Sequence, residues 1–176
     1  MKKVIVIRTL NALLALVLMG VLSLAYYQQF FKHELPCPLC LLQRLGMIGV
    51  AIGALMNLRF GIRIKHYAVS LFSAFMGGAV SIRQILLHIC PGFPVFGIPV
   101  EGYGLYTWAF IVFCSSVLTI IGFMFFYSSK DKSNLPMNYL EIFAFGVVFL
   151  LTLMNFITTF IECGVGFCVD VPWPQP

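Results

Sequence analysis

The stretch "TLNALLALVLMGVLSLAYYQQFF", residues 9–31, decides the fold because it contains no charged side chain along its whole length. A helix needs about 20 mostly apolar residues to cross the hydrocarbon core of a bilayer. The stretch ends in tyrosine and phenylalanine, which is typical of the boundary between lipid and water. It therefore predicts a membrane-spanning helix over residues 8–31.

The same stretch has a second interpretation as a cleaved signal peptide. Lys2, Lys3 and Arg8 precede the apolar residues, and "SLA" at 23–25 resembles a cleavage site. However, the apolar run is longer than the roughly 7–15 residues of a signal-peptide core. We therefore favour a retained helix.

The rest of the chain has the same apolar character. Of its 176 residues, 61% are hydrophobic and 10% are charged, whereas about a quarter of the residues in a soluble domain are charged. Further apolar runs predict spans at about 41–58, 67–88, 105–127 and 137–161. We expect a single all-α membrane domain over residues 1–176, an integral membrane bundle of five transmembrane helices with a short tail at 162–176.

The distribution of charge predicts the orientation of the bundle. Most basic residues lie in short loops on one side: Lys2, Lys3, Arg8, Arg59, Arg63, Lys65, Lys130 and Lys132. The positive-inside rule then places the N-terminus in the cytoplasm and the C-terminus outside. Because these loops account for the net charge of +5, we expect no binding to nucleic acid.

Under this topology, the outer face holds five of the six cysteines: Cys37, Cys40, Cys90, Cys163 and Cys168. Cys114 lies within the fourth helix, where we expect it to serve packing. Thiols outside the cytoplasm meet an oxidising environment and can form disulfides. The topology came from charge alone, so the clustering of cysteines independently indicates thiol chemistry at this face.

The stretch "HELPCPLCLLQR", residues 33–44, carries the strongest chemical signal. Cys37 and Cys40 are separated by two residues, a spacing that forms a small reducible ring. If the second helix begins near Cys40, Arg44 lies one turn away on the same face. An arginine so close to hydrocarbon is often functional. We expect it to stabilise a Cys40 thiolate or to donate hydrogen bonds to a ligand carbonyl; the alternative is an arginine that anchors the helix end.

Two other groups of residues are candidates at the same face. Cys163 and Cys168 enclose "GVGF", a spacer with two glycines that bends freely and brings the thiols together. We interpret them as a second redox pair, although a static disulfide would fit the same pattern. On the outer half of the third helix, Arg83 and Gln84 are candidates to line the same pocket as Arg44.

Two further interpretations of the cysteines stay open. His33 and the outer cysteines are candidate ligands of a metal site, which needs about four donors. A structural or assembly protein with static disulfides would also place its cysteines outside.

"CPLCLLQR" at the start of the second helix, the outer thiols and the small bundle together resemble the DsbB family of bacterial disulfide bond formation proteins. The connection "LHICPGFPVFGIPVEGYGLYTWAF", residues 87–110, is similar to that of a five-helix branch of this family. The resemblance implies an enzyme of the bacterial inner membrane, with its redox cysteines on the periplasmic side. It would reoxidise a soluble DsbA-type thiol oxidase and pass electrons to ubiquinone or menaquinone, without a metal.

The resemblance also assigns roles to particular residues. It implies that Cys40 lies against the quinone ring and that Arg44 contacts the quinone, with Gln43 and Arg83 as further candidates for binding it. Four-span members hold their second cysteine pair between the third and fourth helices, where this chain has Cys90 alone.

The resemblance therefore gives the role of the second pair to Cys163 and Cys168. We expect Cys168 to meet the partner and Cys163 to exchange with Cys37. An enzyme similar to vitamin K epoxide reductase would use the same logic of thiols and quinone, and it is the alternative.

Overall fold

The computed structural model describes residues 2–32, 37–89, 99–126 and 136–164. These residues form five helices: α1 (Lys2–Phe31), α2 (Pro38–Phe60), α3 (Ile64–His88), α4 (Leu105–Phe125) and α5 (Tyr139–Cys163). All five are long and apolar enough to cross a membrane. Within the described segments, the only β-pairing is an isolated bridge between Val100 and Tyr103. The predicted all-α bundle of five spans is confirmed, while the sidedness of its termini stays a prediction.

The helix bounds differ from the predicted spans by a few residues. α1 begins at Lys2, six residues before the predicted start, and α2 begins at Pro38 instead of residue 41. Proline suits the first turn of a helix because its φ angle is already helical and no donor is needed there. The earlier start of α2 makes Cys37 its N-cap residue and places Cys40 in the first turn.

α2 is the central helix and contacts each of the other four. It approaches α3 closely through Gly49 and Gly53, where an added Cβ would overlap Ser73 and Ser70 respectively. Small residues allow two helix backbones to approach, and such contacts hold membrane helices together by van der Waals packing. The helix that carries the thiols is therefore tightly fixed in the bundle.

At the end of the bundle opposite the thiols, a buried ion pair joins α1 to α5. Arg8 donates from Nε to Glu141 Oε1 at 2.7 Å and from Nη2 to Glu141 Oε2 at 2.6 Å. Glu141 also accepts a hydrogen bond from the backbone of Asn138 and completes a capping box at the start of α5. The sequence-based view of Arg8 as a loop charge is therefore wrong, because the residue lies inside α1 and is buried.

A buried network of polar side chains connects the first three helices near this end. Asn57 donates to Asn11 at 3.2 Å, and Asn11 donates to the Tyr67 hydroxyl at 3.1 Å. The side-chain oxygen of Asn57 accepts hydrogen bonds from the Arg63 backbone N–H and from His66 Nδ1. These bonds satisfy polar groups that would otherwise be costly inside a membrane, and they hold the tight α2–α3 turn.

Candidate active site

The two thiols lie side by side at the start of α2. Cys40 donates its backbone N–H to the Cys37 carbonyl at 2.9 Å and to the Cys37 sulfur at 3.3 Å. The two sulfur atoms are 2.8 Å apart, and both cysteines are free thiols. Residues three apart in a helical turn lie on the same side, so the spacing itself brings the sulfurs together. This geometry allows the pair to open and close a disulfide.

The two thiols are not equivalent. The hydrogen bond that Cys37 shares with Cys40 raises the pKa of the Cys37 thiol, and burial raises it further. Cys37 therefore loses its proton less readily than an ordinary thiol. Negative charge in the reduced pair is thereby directed to Cys40.

A pair of buried glutamine side chains covers the sulfurs. Gln84 on α3 directs its side-chain Nε2 at the sulfur of Cys37, 3.3 Å away, and at that of Cys40, 3.6 Å away. Its oxygen accepts a hydrogen bond of 2.8 Å from Nε2 of Gln43 on α2. Gln84 is 1% exposed and Gln43 is 5% exposed. Little water reaches these contacts, which strengthens them.

Arg44 lies one helical turn beyond Cys40 and is almost completely buried, with 6% of its surface exposed. Its Nη1 donates to Gln29 Oε1 at 2.6 Å, and its guanidinium lies over the Tyr26 ring, 4.7 Å from the centroid. A snorkelling arginine would instead extend into water. The side chain is therefore held in the bundle, where its charge favours a neighbouring thiolate.

Tyr26 connects this arginine to the fifth helix. Its hydroxyl is 3.4 Å from the Leu151 carbonyl and 3.4 Å from Asn155 Oδ1. The sequence predicted Tyr26 as part of an aromatic belt at the membrane boundary, but the residue is 4% exposed. The tyrosine therefore lies between Arg44 and the helix that ends in Cys163.

The structure separates the candidates on α3. Arg83 is exposed, whereas its neighbour Gln84 turns inward to the thiols. One turn further, the His88 ring stacks on Tyr106 with centroids 5.0 Å apart. His88 Nδ1 lies 2.7 Å from the Gln84 carbonyl oxygen. Because a carbonyl oxygen only accepts, Nδ1 carries the proton.

The second cysteine pair is described in part. Cys163 is the last residue of α5 and is disulfide-bonded. Its partner is not one of the other described cysteines, because Cys37, Cys40 and Cys114 are free thiols. Cys168 and Cys90 lie outside the described residues, so their predicted roles stay predictions.

The remaining sequence-based predictions have different outcomes. Cys114 is exposed on α4, so its expected role in packing inside the bundle is wrong. Among the described residues, no group of three His, Cys, Asp or Glu side chains is arranged to hold a metal ion. His33, the proposed histidine ligand, lies outside those residues.

Comparisons with known proteins identify the family of the chain. The family described as "Disulfide bond formation protein DsbB" matches residues 7–154. Disulfide bond formation protein B of Burkholderia pseudomallei is 38% identical over 90 residues, covering 49% of this chain and 53% of that protein. The protein of the same name from Pseudomonas syringae pv. tomato is 42% identical over 84 residues, covering 42% and 49% respectively.

A longer match is to disulfide bond formation protein B 1 of Pseudomonas fluorescens, which is 29% identical over 144 residues, 60% of this chain and 83% of that protein. The chain spans about half the length of the first two relatives named. No solved structure matches the chain.

The region that the family model matches, residues 7–154, ends before Cys163. Because it includes the Cys37–Cys40 pair and most of the five-helix bundle, the chain belongs to the DsbB family.

Proposed function

We propose that this protein is a thiol:quinone oxidoreductase that reoxidises a periplasmic DsbA-type thiol oxidase and so supports disulfide bond formation. The observation that carries the proposal is the pair of adjacent sulfurs at the start of α2, one turn from the buried Arg44. A thiol pair is needed to exchange with a protein dithiol. Its place at the end of a membrane helix brings it within reach of a lipid-soluble acceptor.

The residues around Cys40 fit a quinone ring. Leu42 and Leu45 are 48% and 56% exposed on the surface of α2, which gives an apolar molecule a way in from the lipid. Arg44 has five N–H donors, more than its bond to Gln29 uses, and would hold a quinone carbonyl oxygen. Once bound, a quinone supplies an acceptor for two electrons and two protons.

The chain's own residues define the route to that acceptor. A donor thiolate attacks the Cys37 sulfur of the oxidised pair, so that a mixed disulfide forms and the Cys37–Cys40 bond breaks. The electron pair of the broken bond goes to Cys40, where Arg44 stabilises the negative charge. A second donor thiol releases Cys37 as a thiol. The reduced pair then loses two electrons and two protons as its disulfide forms again.

The donor to Cys37 in this proposal is the pair Cys163 and Cys168. Its support is that Cys163 ends α5 and is disulfide-bonded. Cys168 would meet the soluble partner, and Cys163 would exchange with Cys37. In trapping experiments with single Cys→Ala variants, a stable partner adduct through Cys163 but not Cys168 would reverse the order.

The proposed location is the bacterial inner membrane, with the thiols on the periplasmic side. Its support is the distribution of basic residues in the loops and the family to which the chain belongs. Labelling of intact cells with a membrane-impermeant maleimide tests the sidedness. Cys40 and Cys163 are both half-buried, so in the reduced protein both should react without detergent. Reaction only after the cells are permeabilised would place the thiols on the cytoplasmic side.

The decisive experiment uses the purified protein, a reduced DsbA-type partner and a soluble quinone, with quinone absorbance as the readout. We expect thiol-dependent reduction of the quinone that Cys40→Ala abolishes. Cys114→Ala is the matched control, since this thiol is exposed on α4 away from the pair, and should keep full activity. Absence of quinone reduction in the wild-type protein would refute the proposal. Reduction of vitamin K epoxide instead would favour the alternative enzyme class.

A further inference from the structure

The Gln84 side chain contacts both sulfur atoms of the pair, and the thiol exchange proposed above gives it no role. Its Nε2 faces both sulfur atoms, 3.3 Å from that of Cys37 and 3.6 Å from that of Cys40, while its Oε1 is farther away, 4.0 Å from the Cys40 sulfur. When the Cys37–Cys40 bond breaks, negative charge appears on the leaving sulfur of Cys40. A fixed N–H donor beside that sulfur stabilises the charge as it forms, which is how preorganised donors assist catalysis.

A carboxamide has one donor end and one acceptor end, and only the donor end serves this purpose. Gln43 decides which end faces the sulfurs. Its Nε2 donates to the Gln84 oxygen at 2.8 Å, and an N–H group pairs with an oxygen but not with another N–H group. With the Gln84 oxygen held by Gln43, the Gln84 N–H group points at the sulfurs. In the reversed orientation, the Gln84 oxygen would lie closer to the developing thiolate than its present 4.0 Å from the Cys40 sulfur and would repel it.

We propose that Gln84 is a catalytic residue that donates an N–H group to the leaving sulfur of Cys40, and that Gln43 is the positioning residue that fixes its orientation. This inference rests on the proposed thiol exchange at the pair. It changes the expected role of Gln43 from a quinone ligand to a side chain that acts through Gln84. It also identifies Gln84, not the exposed Arg83, as the functional residue of α3.

The expected change in rate on loss of the Gln84 donor follows from the burial of its hydrogen bond. A hydrogen bond to a charged group contributes more than one between neutral groups, and its loss at a buried site slows a step by about tenfold to a hundredfold. Gln84→Met removes the donor while keeping an unbranched side chain of similar size. We expect Gln84→Met to slow reaction at Cys40 by about tenfold or more, and Gln43→Met to have a smaller effect in the same direction.

Two readouts are needed, and one of them uses no quinone. In the first, the reduced protein is labelled with iodoacetamide, and the rate at Cys40 is measured by peptide mass spectrometry, since the thiolate is the reactive form. In the second, quinone reduction is measured with the thiol partner. Ser81→Ala is the matched control, because Ser81 is also buried on α3 and bonds to the Gly77 carbonyl of its own helix. It should leave both rates unchanged.

The double variant separates positioning from a general effect on structure. If Gln43 acts through Gln84, the Gln43→Met/Gln84→Met protein should react as slowly as Gln84→Met alone, because coupled residues are not additive. Additive losses, or a wild-type labelling rate in Gln43→Met, would overturn the positioning role. A wild-type labelling rate in Gln84→Met would overturn the whole inference. If labelling falls as expected but the wild-type protein reduces no quinone, the proposed function fails and the role of the glutamines stands.

Discussion

The buried pair of Arg8 and Glu141 makes a sharp prediction about stability. Glu141→Gln keeps the size of the side chain but removes its charge, which takes from the buried guanidinium of Arg8 the carboxylate that it contacts. Both side chains are 5% exposed, and two short hydrogen bonds join them. Removal of one member of such a pair costs about 3–5 kcal/mol. We expect the free energy of unfolding to fall by that amount.

The measurement is unfolding by SDS in mixed micelles, followed by tryptophan fluorescence. Arg59→Met is the control, because Arg59 is exposed and a surface change should alter stability by no more than about 0.5 kcal/mol. The double variant Arg8→Met/Glu141→Leu replaces both charges with apolar groups and should recover most of the lost stability.

Two results would refute this reasoning. A loss below about 1 kcal/mol in Glu141→Gln would mean that water or lipid headgroups already solvate Arg8. A double variant no more stable than Glu141→Gln would mean that the loss comes from the cap of α5, where Glu141 accepts from the Asn138 backbone, and not from the lost ion pair.

The remaining predictions concern pH, packing and the arginine. Because the folded protein raises the pKa of Cys37 above the ordinary thiol value of 9.0, the unfolded state loses this proton first as pH rises. The contribution of Cys37 to the stability of the reduced protein should therefore be complete below pH 9 and fall above it, and the fall measured by SDS unfolding should be smaller in Cys37→Ser. Gly77→Ala would drive a Cβ into the ring of Phe113. It should lower the free energy of unfolding by roughly 1–2 kcal/mol, net of the gain in helix propensity, and a second change, Phe113→Leu, should restore part of that stability. An unchanged unfolding midpoint in Gly77→Ala would contradict the packing. Arg44→Lys loses the planar group that stacks on Tyr26 and should raise the KM for quinone by about tenfold. The rate of reaction with the thiol partner should be unchanged. An equal loss of activity toward quinone and toward the thiol partner would argue against a quinone contact.

The architecture was predictable from sequence because a spanning helix is a local signal. A run of about 20 apolar residues is recognisable in the sequence whatever packs against it. All five helices lie at such runs. The Cys37–Cys40 spacing was equally local. Its geometry follows from the four residues of one helical turn, Cys37 to Cys40, without help from the rest of the fold.

The contacts across helices were not predictable in the same way. Gln84 was named only as a possible pocket residue, although a regular stripe on α3 leads to it. Residues at intervals of three and four are small or polar and buried there: Ser70, Ala74, Gly77, Ser81 and Gln84. That stripe marks the face turned to α2, and following it to its end would have pointed to the thiols.

Arg8 was misassigned for a different physical reason. A basic residue near the start of an apolar run normally marks the edge of the membrane. Its true partner, Glu141, is 133 residues away in sequence, and no local pattern reveals such a pairing. The same holds for Tyr26, whose ring could be placed beside Arg44 only once α1 and α2 were packed together.

The ion pair between α1 and α5 also sets an order for assembly. Arg8 is made near the beginning of synthesis and Glu141 near its end, so α1 enters the membrane long before its counter-ion exists. Because a charged side chain is costly within a bilayer, we expect Arg8 to reach its buried position only once Glu141 of α5 is also in the membrane. Closure of α1 against α5 is then expected to be a late step of assembly.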